Sequence, residues 1–296
     1  MVTNIKKAVI LIAGLGTRFL PLSKVFPKEF FPLVDKPIIQ YLLEEALDSG
    51  IKEIIFVVKP NGQKEKILDY IQNNQKIEKI LKEKKNETLL AELKKVTDIA
   101  ENFEFSFVVQ KEPLGDGNAI LMTKKLVGDE PCAVFFCDDV IDSKIPALSQ
   151  LVQIFKTCQK PIIGLKKISR VKLPHYGVVD SEIITSRLHK VKNIIEKPPF
   201  DTAPSDLAII GRYIITPEVF DYLKKAVPNK KGEIILADIL SKMASDAKMI
   251  YGYELDGQWL ECGDKLRWLK SNLYLGLKHP KFGDELRKFL KETGSI

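Results

Sequence analysis

The sequence predicts an α/β protein: a doubly wound, mostly parallel (Rossmann-like) mixed sheet flanked by helices, with a helical insert and C-terminal helices. Short, continuously apolar runs at residues 9–13 and 132–136 are separated by helical periods, and each run stops at glycine or acidic residues. Strands that are apolar on both faces belong to sheets covered by helices on both sides. Alternating strand and helix signals point to βαβ units.

The run at 9–13 closes in Gly14-Leu15-Gly16-Thr17, a buried strand passing into a glycine turn. Pro37 opens and Gly50 stops a helical pattern through Ile38, Tyr41, Leu42, Ala46 and Leu47, and residues 54–58 give the next strand. Between residues 62 and 101 the pattern turns charged. Ile77, Ile80 and Leu81, then Leu89, Leu90, Leu93 and Val96, recur at helical spacing, so two amphipathic helices hinged near Asn86 are expected outside the sheet. Residues 76–95 hold seven lysines against four glutamates, most simply a solvated face. Residues 105–109 form a strand ending at Gln110, followed by the turn Glu112-Pro113-Leu114-Gly115-Asp116-Gly117 and a helix from Asn118. The strand at 132–136 runs into Asp138-Asp139. Further strands are expected at 161–165, at 176–179, ending near 194–198 and at 208–215, and helices at 217–223, 268–277 and 284–291. No Gly/Ser-rich or Pro-rich linker and no repeat divides the chain. Residues 1–296 are therefore expected as a single domain, with an insert at about 62–101 and a helical tail at about 264–296.

Composition removes several function classes. A chain of 296 residues that is 45% hydrophobic and 29% charged is neither disordered nor a disulfide scaffold. Its four cysteines show no C-x-x-C spacing, which fits reduced thiols in a cytoplasmic protein. No apolar stretch near the start approaches the roughly 18–20 residues that span a bilayer, so no membrane association is expected. The formal charge of +7 fits nucleic acid, an anionic small substrate or a lysine-rich surface. No aromatic-interleaved basic patch or nucleic-acid module is present, so nucleic acid is not expected as a partner.

Ligands of open α/β sheets sit at the carboxyl ends of strands, and Gly14, Gln110 and Asp138 each follow such an end. Three loops therefore converge on one crevice. The first is neither a dinucleotide fingerprint, since Phe19 stands where a third glycine belongs, nor a Walker A loop, which requires Gly-Lys-Ser/Thr. It offers the N–H groups of small residues, the Thr17 hydroxyl and the Arg18 guanidinium fork. Alone it reads equally well as a tight turn with a surface arginine. Lys24, Lys28 and Glu29 follow in a stretch where Pro21 and Pro27 discourage a helix, and an extended loop carrying Arg18 and two lysines suits a polyphosphate clamp.

Taken together, Ala13-Gly14-Leu15-Gly16-Thr17-Arg18-Phe19-Leu20-Pro21, Pro27-Lys28-Glu29 and Pro32-Leu33-Val34-Asp35-Lys36-Pro37 resemble the signature of the sugar-1-phosphate nucleotidylyltransferases, and the resemblance runs nearly end to end. The charged insert resembles the uridylyltransferase branch, whereas thymidylyltransferases pass more directly from strand to base-reading loop. This resemblance implies UTP and glucose 1-phosphate as substrates, Mg²⁺ as cofactor and self-association of the chain through its later helices. It places Ala13, Gly14, Gly16, Thr17, Glu29, Gln110 and Gly115 at the nucleotide, with Gln110 and the Gly115 backbone on the pyrimidine and Glu29 on the ribose. It puts Asp138 on the metal, Gly177 and Glu196 at the sugar, and Lys197 on its phosphate. Glu261 stands where relatives carry an aspartate as a second metal-facing carboxylate.

The chemistry agrees with these residue types. In nucleotidyl transfer a phosphate oxygen attacks the α-phosphorus in line and pyrophosphate departs, so cations and a hard metal ion do the work and no covalent nucleophile is required. Arg18, Lys28, Asp138 and Lys197 form the expected catalytic set. Leu11-Ile12 replaces the family's Pro-Ala, and Gly115-Asp116-Gly117-Asn118 replaces Gly-Leu-Gly-His, which would set a carboxylate and an amide beside the pyrimidine. His189 and His279 are expected at the surface. A thymidylyltransferase, or a non-catalytic relative that binds nucleotide sugar and regulates a partner, remains the alternative.

Overall fold

Nine strands form one sheet among the described residues, 4–60 and 62–294, of the computed structural model. β1 (Lys7–Leu11) enters the glycine turn, and a ribbon of β2 (Pro32–Leu33) and β3 (Lys36–Pro37) leads into α1 (Ile38–Asp48). Next come β4 (Glu53–Val58), α2 (Gln63–Ile71), α3 (Gln75–Glu83), α4 (Glu87–Ala100) and β5 (Glu104–Val109). The hinge expected near Asn86 is a junction of helix ends. The Asn74 and Asn86 side chains accept from the Ile77 and Leu89 N–H groups, each at 3.1 Å, and so cap α3 and α4. The insert also holds α2, which the charge pattern does not mark.

α5 (Asp116–Met122), α6 (Lys124–Val127), β6 (Cys132–Phe136), β7 (Asp139–Asp142), α7 (Ala147–Cys158) and β8 (Ile162–Lys167) follow. The second half contains β9 (Gly177–Ile183), β10 (Leu188–Glu196), β11 (Leu207–Ile215), α8 (Pro217–Lys224), α9 (Leu236–Ser245), β12 (Tyr251–Glu254) and β13 (Gln258–Glu261). α10 (Lys265–Lys278) and α11 (Gly283–Glu292) close the chain.

The strand order is β5-β4-β1-β6-β11-β8-β12-β10-β9. β5, β4, β1 and β6 run parallel. β11 then opposes both β6 and β8, β12 parallels β8, and β10 opposes β12 and β9, so the mixed character of the sheet is confined to its second half. The order reverses around β1, which opens the crevice at the carboxyl ends of β1, β5 and β6. Successive strand residues face opposite sides. Ile10, Phe56 and Phe135 pack under α1 and α7, while Val9, Ile55 and Val134 pack under α5, α8 and α9. A third apolar cluster, with Phe19, Phe31, Leu33, Val140 and Leu260 and with Trp268 against it, fastens the 17–33 loop to the β7–β13 ribbon and α10. None of the described helices is long and apolar enough to cross a membrane. The four cysteines are free. His189 is buried, contrary to the surface position expected, because its ring bridges Ser181 and Glu254 between adjacent strands.

Candidate active site

At the end of β1 the chain turns through Gly16, whose φ of +65° is left-handed and whose added Cβ would lie 3.3 Å from Ser23. The turn aims Arg18 outward while Phe19 is buried edge-on against Phe31, with ring centroids 4.8 Å apart. Ten residues further on, Lys28 reaches the same point from below. Both cations meet one oxygen: Asp138 Oδ2 lies 3.3 Å from Arg18 Nη2 and 3.0 Å from Lys28 Nζ. Burial works to raise the Asp138 carboxyl, but Lys28 and Arg18 hold it below the usual carboxylate range. Burial likewise opposes the Lys28 ammonium, yet Asp138 carries it well above an ordinary lysine. Gly263 packs closely at this point, where a Cβ would come within 3.1 Å of Arg18 and 3.2 Å of Asp138 Oδ2.

Behind Asp138, Asp139 accepts hydrogen bonds from Trp259 Nε1 at 2.6 Å and from Gly211 N at 2.9 Å. Burial and the Asp138 charge push its carboxyl up to about 7. The wholly buried Arg212 pairs with both Glu45 carboxylate oxygens, at 2.9 and 2.8 Å, and donates to the carbonyls of Asp139 and Phe136. It straps the acidic loop to α1.

Past the ends of β1, β4 and β5, a cavity of about 150 Å³ is lined by Ala13, Leu15, Lys59, Pro60, Gln110, Lys111, Glu112 and Pro113. Gln110 Nε2 donates to the Gly115 carbonyl at 3.1 Å and to Asn118 Oδ1 at 3.2 Å, so Asn118 orients the glutamine. Gly115 has φ +94°, and a Cβ on it would strike the Ile234 carbonyl at 2.3 Å. Asp116, expected beside a pyrimidine, is not among the residues that line this cavity. It accepts from Leu236 N at 2.7 Å, serving the first turn of α9, and burial pushes its carboxyl up to about 6. Helix N-termini offer unpaired N–H groups that draw such a carboxylate inward.

Glu29 is drawn inward. It is 1% exposed and accepts from Gln63 Nε2, which in turn donates to the Ile12 carbonyl at 2.9 Å. Burial raises the Glu29 carboxyl. Thr17 occupies the short turn leading to Arg18, and Gly14 lies in open space, where a Cβ would meet nothing within 4 Å.

On the sugar side, Gly177 pairs with Glu196 across β9 and β10, and a Cβ on the glycine would lie 3.1 Å from the Glu196 carboxylate. Lys197 Nζ is 2.8 Å from Glu196 Oε1, and both side chains are exposed. Lys197 adopts φ +49°, held by its N–H to the Tyr176 carbonyl at 2.9 Å. Glu261 is engaged at both oxygens, by the Tyr176 hydroxyl and by Arg267. Gln63, Arg212 and Arg267 are not recognisable as site residues from sequence, because nothing local sets them apart from other polar helix and strand residues, whereas Asn118 is marked by its turn and is found on Gln110. Among the described residues no group of three or more acidic, histidine or cysteine side chains could enclose a metal ion. An ionised, partly open Asp138 does suit a hard cation that takes one or two carboxylates and completes its shell with phosphate oxygens and water.

A family model described as Nucleotidyl transferase matches residues 7–274. The chain belongs to the nucleotidyl transferase family. Nucleotidyl transferases are generally metal-dependent, which agrees with the Asp138 environment. The chain is 42% identical to the UTP–glucose-1-phosphate uridylyltransferase of Staphylococcus haemolyticus, over 98% of this chain and 99% of that protein. It is also similar to the UTP-bound UGPase of Acinetobacter baumannii, with 34% identity, a TM-score of 0.87 and coverage of 97% of this chain and 99% of that one. A UDP-glucose pyrophosphorylase complexed with UDP-glucose matches with a TM-score of 0.82 and 34% identity, over 93% of this chain and 100% of that one.

Proposed function

We infer that the protein is a UTP–glucose-1-phosphate uridylyltransferase, forming UDP-glucose and pyrophosphate. The observation that carries this reading is the convergence of Arg18 and Lys28 on a single oxygen of Asp138 at the carboxyl end of the sheet. Near full-length similarity to uridylyltransferases at about 40% identity, and to UTP-bound and UDP-glucose-bound structures, supports the base and the sugar.

In this reading the pyrimidine enters the cavity beside Gln110 and Gly115, and the triphosphate lies along the N–H groups of Ala13, Gly14 and Gly16 and the Thr17 hydroxyl. Glu29 belongs to the ribose side, its posture set by Gln63. Asp138 with the substrate phosphates would hold Mg²⁺, which supplies Lewis-acid polarisation at the α-phosphate. Arg18, exposed and able to pivot, and Lys28 neutralise the triphosphate and then the departing pyrophosphate. Lys197 holds the sugar phosphate, while Gly177 leaves room for the sugar and Glu196 accepts from its hydroxyls. A phosphate oxygen of glucose 1-phosphate forms the new bond to the α-phosphorus as the bond to the pyrophosphate oxygen breaks. The thiol nearest this centre, Cys137, is buried and raised to about 12, so it offers no nucleophile.

The same reading takes residues 1–296 as one working unit, acting in the cytoplasm as a homo-oligomer. Pyrophosphate release measured with UTP, dTTP, ATP or GTP and glucose 1-phosphate tests it. UTP is expected to turn over fastest. A preference for dTTP would make the protein a thymidylyltransferase, and binding of UDP-glucose without any release would make it a regulatory relative.

A further inference from the structure

We propose that Tyr176, Glu261 and Arg267 form a latch that positions the sugar-phosphate loop, with Glu261 acting through Tyr176 and not as a metal ligand. The proposal rests on the uridylyltransferase reading and specifies how its sugar side is held.

Four elements contribute. Glu261 ends β13, its backbone carbonyl accepting from Ser271 Oγ at 2.8 Å on α10. Arg267 stands in the first turn of α10, where Asp264 caps its N–H at 3.0 Å and pairs with its Nε at 3.1 Å. The arginine is thus fixed at its base before it touches Glu261. Its guanidinium bonds one Glu261 oxygen and lies 5.2 Å from the Tyr176 ring centroid, where a cation is attracted to the aromatic face. The Tyr176 hydroxyl donates to the other Glu261 oxygen. On its far side the Tyr176 ring meets Trp259 with centroids 4.9 Å apart. The Tyr176 carbonyl, finally, accepts the Lys197 N–H.

Lys197 needs such support. Its left-handed φ of +49° is disfavoured for a residue with a Cβ, and it sits in an exposed loop between the end of β10 and the next turn. The backbone bond to Tyr176 holds it there, and Tyr176 is in turn clamped between Trp259, Arg267 and Glu261. Both Glu261 oxygens already carry a hydrogen bond, and Arg267 already supplies the positive charge beside this carboxylate. Burial and the neighbouring carboxylate raise the Tyr176 hydroxyl well above its usual range, so it remains a donor throughout the working pH range.

Turnover of the unaltered enzyme with UTP and glucose 1-phosphate tests the underlying reading by itself; the variants test only the latch. Tyr176→Phe preserves the ring contacts and removes the hydroxyl. Its KM for glucose 1-phosphate should rise about tenfold, with kcat and the KM for UTP within about twofold. Metal-free calorimetry should show UDP-glucose binding weakened by a similar factor. Glu261→Gln keeps an acceptor for Tyr176 and should hold the glucose 1-phosphate KM within about threefold, with the half-saturating Mg²⁺ concentration unchanged. Glu261→Ala should match Tyr176→Phe, and the double variant should be no worse than either, as for two groups acting as one unit. The latch is overturned if Tyr176→Phe leaves the glucose 1-phosphate KM and UDP-glucose binding unchanged. It is also overturned if Glu261→Gln raises the Mg²⁺ requirement tenfold or more. Thermal melting of each variant separates these outcomes from misfolding, and the conservative Phe and Gln replacements keep the test decisive if Glu261→Ala fails to fold.

Discussion

The Arg18–Lys28–Asp138 end of the crevice and the Gly177–Glu196–Lys197 end, which the proposed function gives to nucleotide and to sugar, are built by different means. On the nucleotide side, one loop after a buried parallel strand delivers the glycine turn, Arg18 and Lys28 within 15 residues, and Lys28 is largely buried on Asp138. At the other end, Gly177, Glu196 and Glu261 come from three different strands, Lys197 follows directly after Glu196, and the Lys197 ammonium is exposed. The first arrangement holds Lys28 in place before substrate arrives. The second leaves its cation mobile and fixes only the backbone beneath it. A buried ion pair stores a large penalty for losing either partner, whereas an exposed pair contributes little to stability. Damage on the nucleotide side should therefore affect turnover and folding together, and damage on the sugar side should affect binding alone.

The sharpest way to break this contrast is Asp138→Ala. Pyrophosphate release should fall on the order of 10³-fold. The melting temperature should fall as well, because Lys28 is left buried without its anion. An active variant, or one that is inactive but as stable as the parent, would undo the account of the nucleotide side.

Lys197→Ala is the counterpart. Loss of one charge-assisted contact should raise the KM for glucose 1-phosphate about tenfold to a hundredfold, with the KM for UTP and the melting temperature unchanged. An unchanged glucose 1-phosphate KM would remove Lys197 from the sugar phosphate.

The smallest expected effect is at Asp116, on the seam between the base-reading turn and α9. Its folded carboxyl, near 6, lies above the usual aspartate value, so the folded chain binds the extra proton. Its contribution to stability is therefore present below about pH 4 and lost as pH rises through about 6. Asp116→Asn should melt no lower than the parent at pH 5 and higher at pH 7.5, when the two are compared by thermal unfolding at each pH. A gap that does not widen between those pH values would contradict the buried environment assigned to Asp116.

Much of the parallel half was legible because its signals are local. A continuous apolar run marks a strand buried on both faces, and the residues just beyond it fall at the sheet's carboxyl edge whatever the rest of the chain does. The Asn86 hinge was equally readable, since a capping residue acts on an N–H only three positions away. α7 has an opening signal in Pro146, as α1 has in Pro37, whereas α9 carries an apolar face without one, and β7, β12 and β13 are four-residue strands carrying acidic residues or glycine. Such pieces are strands only because a partner lies alongside, as Glu261 does opposite Asp139. The turn to Asp116 was misread for the same reason. Its carboxylate faces Leu236, 120 residues away, and no local pattern announces that helix end as its neighbour.

The sequence by itself thus determined the parallel strands of the first half, the loop that carries Arg18 and Lys28 past the end of β1, and the acidic strand end at Asp138. These follow from periodicity, chain stiffness and residue chemistry over short spans. Only the tertiary structure decided that Arg18 and Lys28 share one oxygen, that Asn118 turns Gln110, that Asp116 caps α9, and that Tyr176, Glu261 and Arg267 meet beneath Lys197. Those outcomes depend on strand register and helix docking between segments up to 120 residues apart, where packing selects the partner and composition does not.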